Sequence, residues 1–252
     1  MRIFASAVLL CSVLTGRVAS AAEEAPTYTD ADRARIRTEL AAEYYNRNQY
    51  PIAIEEAKKA LQSKADYAPA YLVMALAFAE LLDDGMARSN FQQGLNIEPG
   101  NLDLNHNYGR YLCSKGEYAA GLARLQQVFG VTSYAGIDNS YTVAGDCLDK
   151  AGDTKQALAY YRMALQYRPG NALARYRLAS VYLREGQLAE ARDAYNGLTR
   201  VVSRPAPDVI WLGVRLERKA GNRAAEKKLA DQLLAQFPDS REAGYLKAGQ
   251  YE

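Results

Sequence analysis

Few side chains in this sequence could do covalent or acid–base chemistry. There is one histidine, His106, seven residues before Cys113. On a helix that spacing sets the two on a similar face, two turns and about 10 Å apart. A Cys–His nucleophile needs hydrogen-bond reach instead. His106 therefore reads as a structural or groove-lining residue. No His-Glu-x-x-His, phosphate-cradling glycine loop or clustered Cys/His set occurs. The sequence thus predicts no catalytic residue, metal, cofactor or small-molecule substrate. Acidic pairs such as Glu55-Glu56 and Asp83-Asp84 read as solvated faces or turns. The net charge of +2 gives no reason to expect nucleic acid as a partner.

The elements that carry these residues are set by a repeat. Ala53, Ala87, Gly121, Ala157 and Ala191 stand 34, 34, 36 and 34 residues apart. Gly116, Gly152 and Gly186 follow at 36 and 34, and Pro-Gly-Asn recurs at Pro99 and Pro169. A 34-residue period with these residue types is the tetratricopeptide (TPR) signature, a helix–turn–helix unit. The first helix of each unit (helix A) needs large, small and aromatic residues on one stripe against the second (helix B). Tyr71, Met74, Ala75 and Phe78 supply it, as do Tyr108, Gly109 and Leu112, and Leu178, Ala179 and Tyr182. Glycine permits the reversal between helices, and proline closes the unit. The prediction is all-α: a right-handed superhelical TPR solenoid of about six repeats. They fall at about 34–67, 68–101, 102–135, 138–171 and 172–205, with a degenerate pair at 206–237 and a capping tail at 238–252. Loops are expected near 136–137 and 204–206.

The amino terminus carries a different signal. Arg2, the apolar stretch Ile3 to Leu14, and Ala19-Ser20-Ala21 form a secretory pattern over 1–21. The apolar run is short of the ~20 residues needed to span a bilayer. Residues 22–33 read as a flexible leader, and the mature chain is expected in the periplasm. Cys11 leaves with the signal, and Cys113 and Cys147 remain, in the A helices of adjacent repeats. Neighbouring A helices pack side by side, so an oxidising compartment would join the two if they are close. Two free thiols buried as small apolar residues are the alternative.

Function is expected on the face lined by the A helices. There repeat 1 offers Thr38, Ala42, Tyr45 and Asn46, and repeat 2 offers Leu72, Leu76, Ala79 and Glu80. That lining is largely apolar, which suits a hydrophobic helix or strand from another protein rather than a carboxylate clamp. Repeats 3 and 4 are more polar, with His106, Arg110, Asp146 and Asp149.

Several segments carry a family resemblance. They are Arg37-Thr38-Glu39-Leu40-Ala41-Ala42 with Tyr44; Asn107-Tyr108-Gly109 with Leu112-Cys113; and Gly145 with Cys147 and Ala151-Gly152-Asp153. Trp211-Leu212-Gly213-Val214-Arg215 and Phe237-Pro238-Asp239-Ser240 complete the set. Over about 34–245 the chain resembles the type IV pilus biogenesis/stability family (PilF/PilW). The resemblance implies a pilotin-like role: binding subunits of the outer-membrane secretin PilQ through the early repeats and promoting their localisation and multimer assembly. It also implies a Cys113–Cys147 disulfide and association with the outer membrane. The chain departs from the family at the lipobox. Leu14-Thr15-Gly16 has that character, but Arg17 stands where the acylated cysteine belongs.

Overall fold

In the computed structural model, residues 28–251 are described. The signal segment 1–21 and the first half of the leader, 22–27, lie outside them. Among the described residues there are thirteen α-helices and no strand. The helices pair in chain order: α1 (Asp30–Asn46) with α2 (Tyr50–Ser63), α3 (Ala68–Glu80) with α4 (Asp84–Ile97), and α5 (Leu102–Ser114) with α6 (Tyr118–Gln126). Then come α7 (Ile137–Lys150) with α8 (Thr154–Tyr167), α9 (Ala172–Arg184) with α10 (Leu188–Val201), and α11 (Pro207–Lys219) with α12 (Arg223–Gln236). A last helix, α13 (Arg241–Ala248), packs on α11 and α12 as a cap.

One boundary departs from the sequence reading. The leader was expected to reach residue 33, but α1 starts at Asp30. Thr29 and Asp32 form a capping box, Asp32 N–H donating to Thr29 Oγ1 at 3.1 Å and Thr29 N–H to Asp32 Oδ2 at 3.1 Å. Two otherwise unpaired amides are satisfied that way, which fixes the helix start.

Every pair reverses by the same device. The N–H of the residue opening the second helix returns to a carbonyl five residues back: Asp83 to Phe78, Glu117 to Leu112, Asp153 to Leu148 and Gln187 to Tyr182, each at 2.9–3.0 Å. This bond requires a left-handed residue just before it. Asn48, Leu82, Gly116, Gly152, Gly186 and Gly221 fill that position, all with positive φ. Leu82 is the one large apolar residue in the set.

Burial follows from small residues at the helix crossings. Ala53, Ala57, Ala75, Ala87, Ala157, Ala164 and Ala191 are fully buried. Gly109 and Gly121 face each other where α5 crosses α6. A Cβ on Gly109 would lie 2.7 Å from Leu125 Cγ and 2.8 Å from the Gly121 carbonyl oxygen. Aromatics fill the space between repeats: Phe91 stacks on Tyr108 at 4.8 Å, and Phe129 on Tyr141 at 4.2 Å. Each core cluster spans neighbouring repeats, so the core is a chain of local interfaces.

Gly109→Ala should cost roughly 1–3 kcal/mol, because the contact it tightens includes backbone. Gly100→Ala, with nothing within 4 Å of the new methyl, should stay within about 0.5 kcal/mol of the parent. Urea midpoints of the two variants check this. Equal midpoints would mean that the α5–α6 approach is not tight.

Candidate functional site

The A helices α1, α3, α5, α7, α9 and α11 contact one another in sequence and form a continuous face. In a solenoid of stacked helix pairs this is the concave binding surface. Equivalent positions can be counted back from the left-handed residue of each turn. Six residues before it stand Ala42, Leu76, Arg110, Asp146, Ser180 and Arg215. Two before it stand Asn46, Glu80, Ser114, Lys150, Arg184 and Lys219. The first column starts apolar and becomes mixed, ending at Arg215, and the second runs from polar and acidic to basic.

Two joined cavities open on this face. The first, of about 360 Å³, has an apolar floor of Leu76, Ala79 and Phe91 with Leu82 at its edge, and Glu80, Arg110 and Lys115 around it. The second, also about 360 Å³, runs past His106, Arg110, Val143, Asp146, Lys150 and Leu173. Arg110 and Ser114 line both, so the two form one trough. A further cavity of about 500 Å³ lies toward the cap, lined by Arg184, Arg215, Arg218 and Lys219 with Tyr251.

The residues expected to line the groove divide into two groups. Thr38 is corrected: it is buried, and its hydroxyl donates to the Ala34 carbonyl one turn back at 2.8 Å. Ala42 and Tyr45 are half-buried against the first core cluster, and the Tyr45 hydroxyl donates to Glu80 at 3.3 Å. Asn46 is exposed at the end of α1. Leu72 packs against the cluster that holds Phe91 and does not line the first cavity. Leu76 and Ala79 pack on that same cluster and also line the cavity. The open apolar surface thus lies between repeats 2 and 3, one repeat further along than expected. Sequence reasoning missed Leu82. Its signal was present as the missing glycine, 34 residues before Gly116.

The electrostatics of the trough are uneven. Asp146 is held by Arg177 at 2.9 Å, and Tyr161 donates to it at 2.8 Å. Asp149 pairs with Arg184, and Lys115 pairs with Asp84 at 2.6 Å. Arg110 and Lys150 are exposed and have no carboxylate within 4 Å among the described residues. Arg215 and Lys219 donate to main-chain carbonyls, those of Tyr251 at 2.8 Å and Leu183 at 2.9 Å.

His106 sits in the wall with Nδ1 2.8 Å from Ser140 Oγ. The Ser140 hydroxyl donates to the Gly136 carbonyl at 3.1 Å, so Nδ1–H is the donor to Oγ. Burial, and after it the charge on Arg110, push the imidazole down to about 4. The ring is neutral at neutral pH and serves as a polar strut. Cys113 and Cys147 are placed as a disulfide between α5 and α7, with Cα atoms 5.3 Å apart. That pairing removes the Cys113 thiolate from any nucleophilic role. Among the described residues no group of three or more His, Cys, Asp or Glu could hold a metal, and no helix is long and apolar enough to cross a membrane.

Comparison with known proteins agrees with this architecture. A tetratricopeptide-repeat family profile matches residues 150–205. The type IV pilus assembly protein PilF of Pseudomonas aeruginosa is 24% identical over 246 residues, covering 96% of this chain and 97% of its own. The crystal structure of PilW, a type IV pilus biogenesis factor, superposes with a TM-score of 0.78 at 28% identity, covering 84% of this chain and 97% of that one. The structure of Pseudomonas aeruginosa PilF has the same fold, with a TM-score of 0.77 at 20% identity. A shorter match, 35% identical over 101 residues, is to cellulose synthase operon protein C of Pseudomonas fluorescens. It spans 40% of this chain and 7% of that protein.

Two outcomes follow from the site. The disulfide closes a 34-residue interval, so reduction should lower stability by about 3–4 kcal/mol on a chain-entropy basis. Denatured mass spectra with and without reductant should differ by two hydrogens, and identical masses would leave two free thiols. His106 is depressed from its ordinary 6.5 to about 4, so the unfolded chain binds the extra proton between those values. Its contribution to stability is complete above pH 6.5 and is lost as pH falls toward 4. His106→Gln should flatten the melting temperature against pH in that window, and an unchanged slope would show that other groups set it.

Proposed function

We propose that this chain, a tetratricopeptide-repeat protein resembling the type IV pilus biogenesis factors, binds subunits of the secretin PilQ in the periplasm. It promotes their localisation to the outer membrane and their assembly into multimers. The observation that carries this reading is the likeness to PilF over 96% of this chain and to PilW over 84% of it. In sequence the PilF match covers 96% of this chain rather than a part of it. The short match to the cellulose synthase operon protein is of that partial kind.

The binding surface we assign is the apolar floor around Leu76 and Ala79, with Leu72, Ala42, Tyr45 and Asn46 toward the amino-terminal end. A hydrophobic segment of the secretin gains its affinity there from apolar burial, at about 25 cal/mol per Å² removed from water. Thr38 takes no part. The Cys113–Cys147 bond stiffens the wall beyond this floor and belongs with an oxidising compartment. A second reading is a periplasmic scaffold for another envelope complex, also built on a protein-binding trough.

Deleting the gene should reduce assembled secretin multimers while leaving the secretin monomer present. Purified chain should retain the periplasmic part of the secretin on a column. Leu76→Glu should weaken that capture about ten-fold or more, with helical circular dichroism unchanged. Intact multimers in the deletion strain, with another envelope assembly lost, would favour the scaffold reading.

A further inference from the structure

Leu82 is a residue the fold does not ask for. The turn it occupies needs a left-handed conformation, which the later repeats meet with Gly116, Gly152, Gly186 and Gly221. Repeat 2 holds leucine there at φ 61°. A leucine pays a steric penalty in that region because its Cβ approaches the following carbonyl. Burial does not compensate, since Leu82 is 81% exposed. What its side chain does is form one lip of the apolar cavity whose floor is Leu76, Ala79 and Phe91. Leu81 and Met86 are also exposed, at 45% and 41%, but neither lines this cavity.

The other half of the observation is charge. Leaving this cavity along the trough, the surface passes Arg110 and Lys150, then Arg215 and Lys219 nearer the cap. None of the four has a carboxylate within 4 Å among the described residues. Of the acids lining this path, Asp146 is paired with Arg177, and Glu80, which accepts only from the Tyr45 hydroxyl, keeps its charge beside the apolar cavity. An excess of uncompensated cations in a concave surface focuses a positive potential along it.

We propose that the trough binds a segment with an apolar side chain at one end and carboxylates along the rest. Its apolar end seats between Leu76 and Leu82, and its acidic stretch lies over Arg110 and Lys150 toward the cap. This rests on the reading of the trough as a protein-binding site and adds to it the chemistry and direction of the bound segment. The apolar anchor supplies contact area, and the cations fix orientation and speed encounter. The strain at Leu82 is kept because a glycine there would remove the lip.

The test uses the full exported chain and short random peptides displayed on phage, panned at low salt. Selected peptides should pair an apolar residue with several Asp or Glu. Leu82→Gly should bind them about ten-fold more weakly, yet melt at the same or a higher temperature, because its backbone strain is relieved. A purely structural leucine would lower the melting temperature instead. Arg110→Glu with Lys150→Glu should weaken binding about ten-fold or more and remove its salt dependence. Enrichment of neutral or basic peptides, no enrichment, or unchanged binding by the charge variants would overturn the proposal. So would a dimer of the parent chain that Leu82→Gly dissolves, since the occupant would then be a second copy. Failure of the parent chain to bind the secretin would sink the proposed function and leave the peptide result standing.

Discussion

The architecture depends on one hydrogen bond repeated at each helix reversal. It runs from the N–H that opens helix B to a carbonyl in the last turn of helix A. Because it spans a fixed number of residues, it sets the register between the two helices of a pair. The small residues then meet at the crossing: Gly109 against Gly121, and Gly145 against the Tyr161 ring. Register also fixes which residues of helix A are left on the trough. Turn geometry, packing and binding surface are thus tied to one count along the chain. A residue inserted within helix A would disturb all three, while one inserted after helix B disturbs only the spacing of repeats.

The chain shows that tolerance between repeats 3 and 4. Helix α6 stops at Gln126, and the chain runs irregularly until α7 begins at Ile137. The two extra residues of the 36-residue interval fall within this stretch. The shortened B helix α6 still packs on α7. Phe129, Tyr141, Tyr160 and Tyr167 pack there as an aromatic group, and the Cys113–Cys147 pair ties the inner layer. In a solenoid each repeat meets only its neighbours, so a weak junction is not averaged away by a common core. A covalent tie between α5 and α7 adds to the packing that already spans this junction.

The fold was legible from the sequence because its constraints are local and periodic. Ala53, Ala87, Ala157 and Ala191 are fully buried, and their spacing alone reveals the repeat. The trough was less legible. Whether a side chain off the core stripe faces solvent or a neighbouring repeat depends on rotation about the helix axis. A change of one position moves a residue by about 100°, which is why Thr38 was placed on the open face and lies buried. Leu82 was hidden for another reason: its meaning lies in what it replaces, and a search for glycines passes over the position where one is missing. Leader and helix could be separated only by recognising Thr29 and Asp32 as a cap.

The division of labour between positions explains how such a surface can be specialised without cost to the fold. Over the first five repeats the crossing and turn residues scarcely vary: alanine or glycine at the crossing, glycine or asparagine at most turns, while repeat 6 carries Glu226 at the crossing. The columns that begin at Ala42 and Asn46 carry no such burden, and they vary from leucine and glutamate to arginine and lysine. Affinity and charge of the trough can therefore be set repeat by repeat while packing stays intact. Leu82 is the exception that shows where the two sets meet. It lies in the constrained set yet lines the cavity, in a left-handed conformation that costs a leucine about 1–2 kcal/mol.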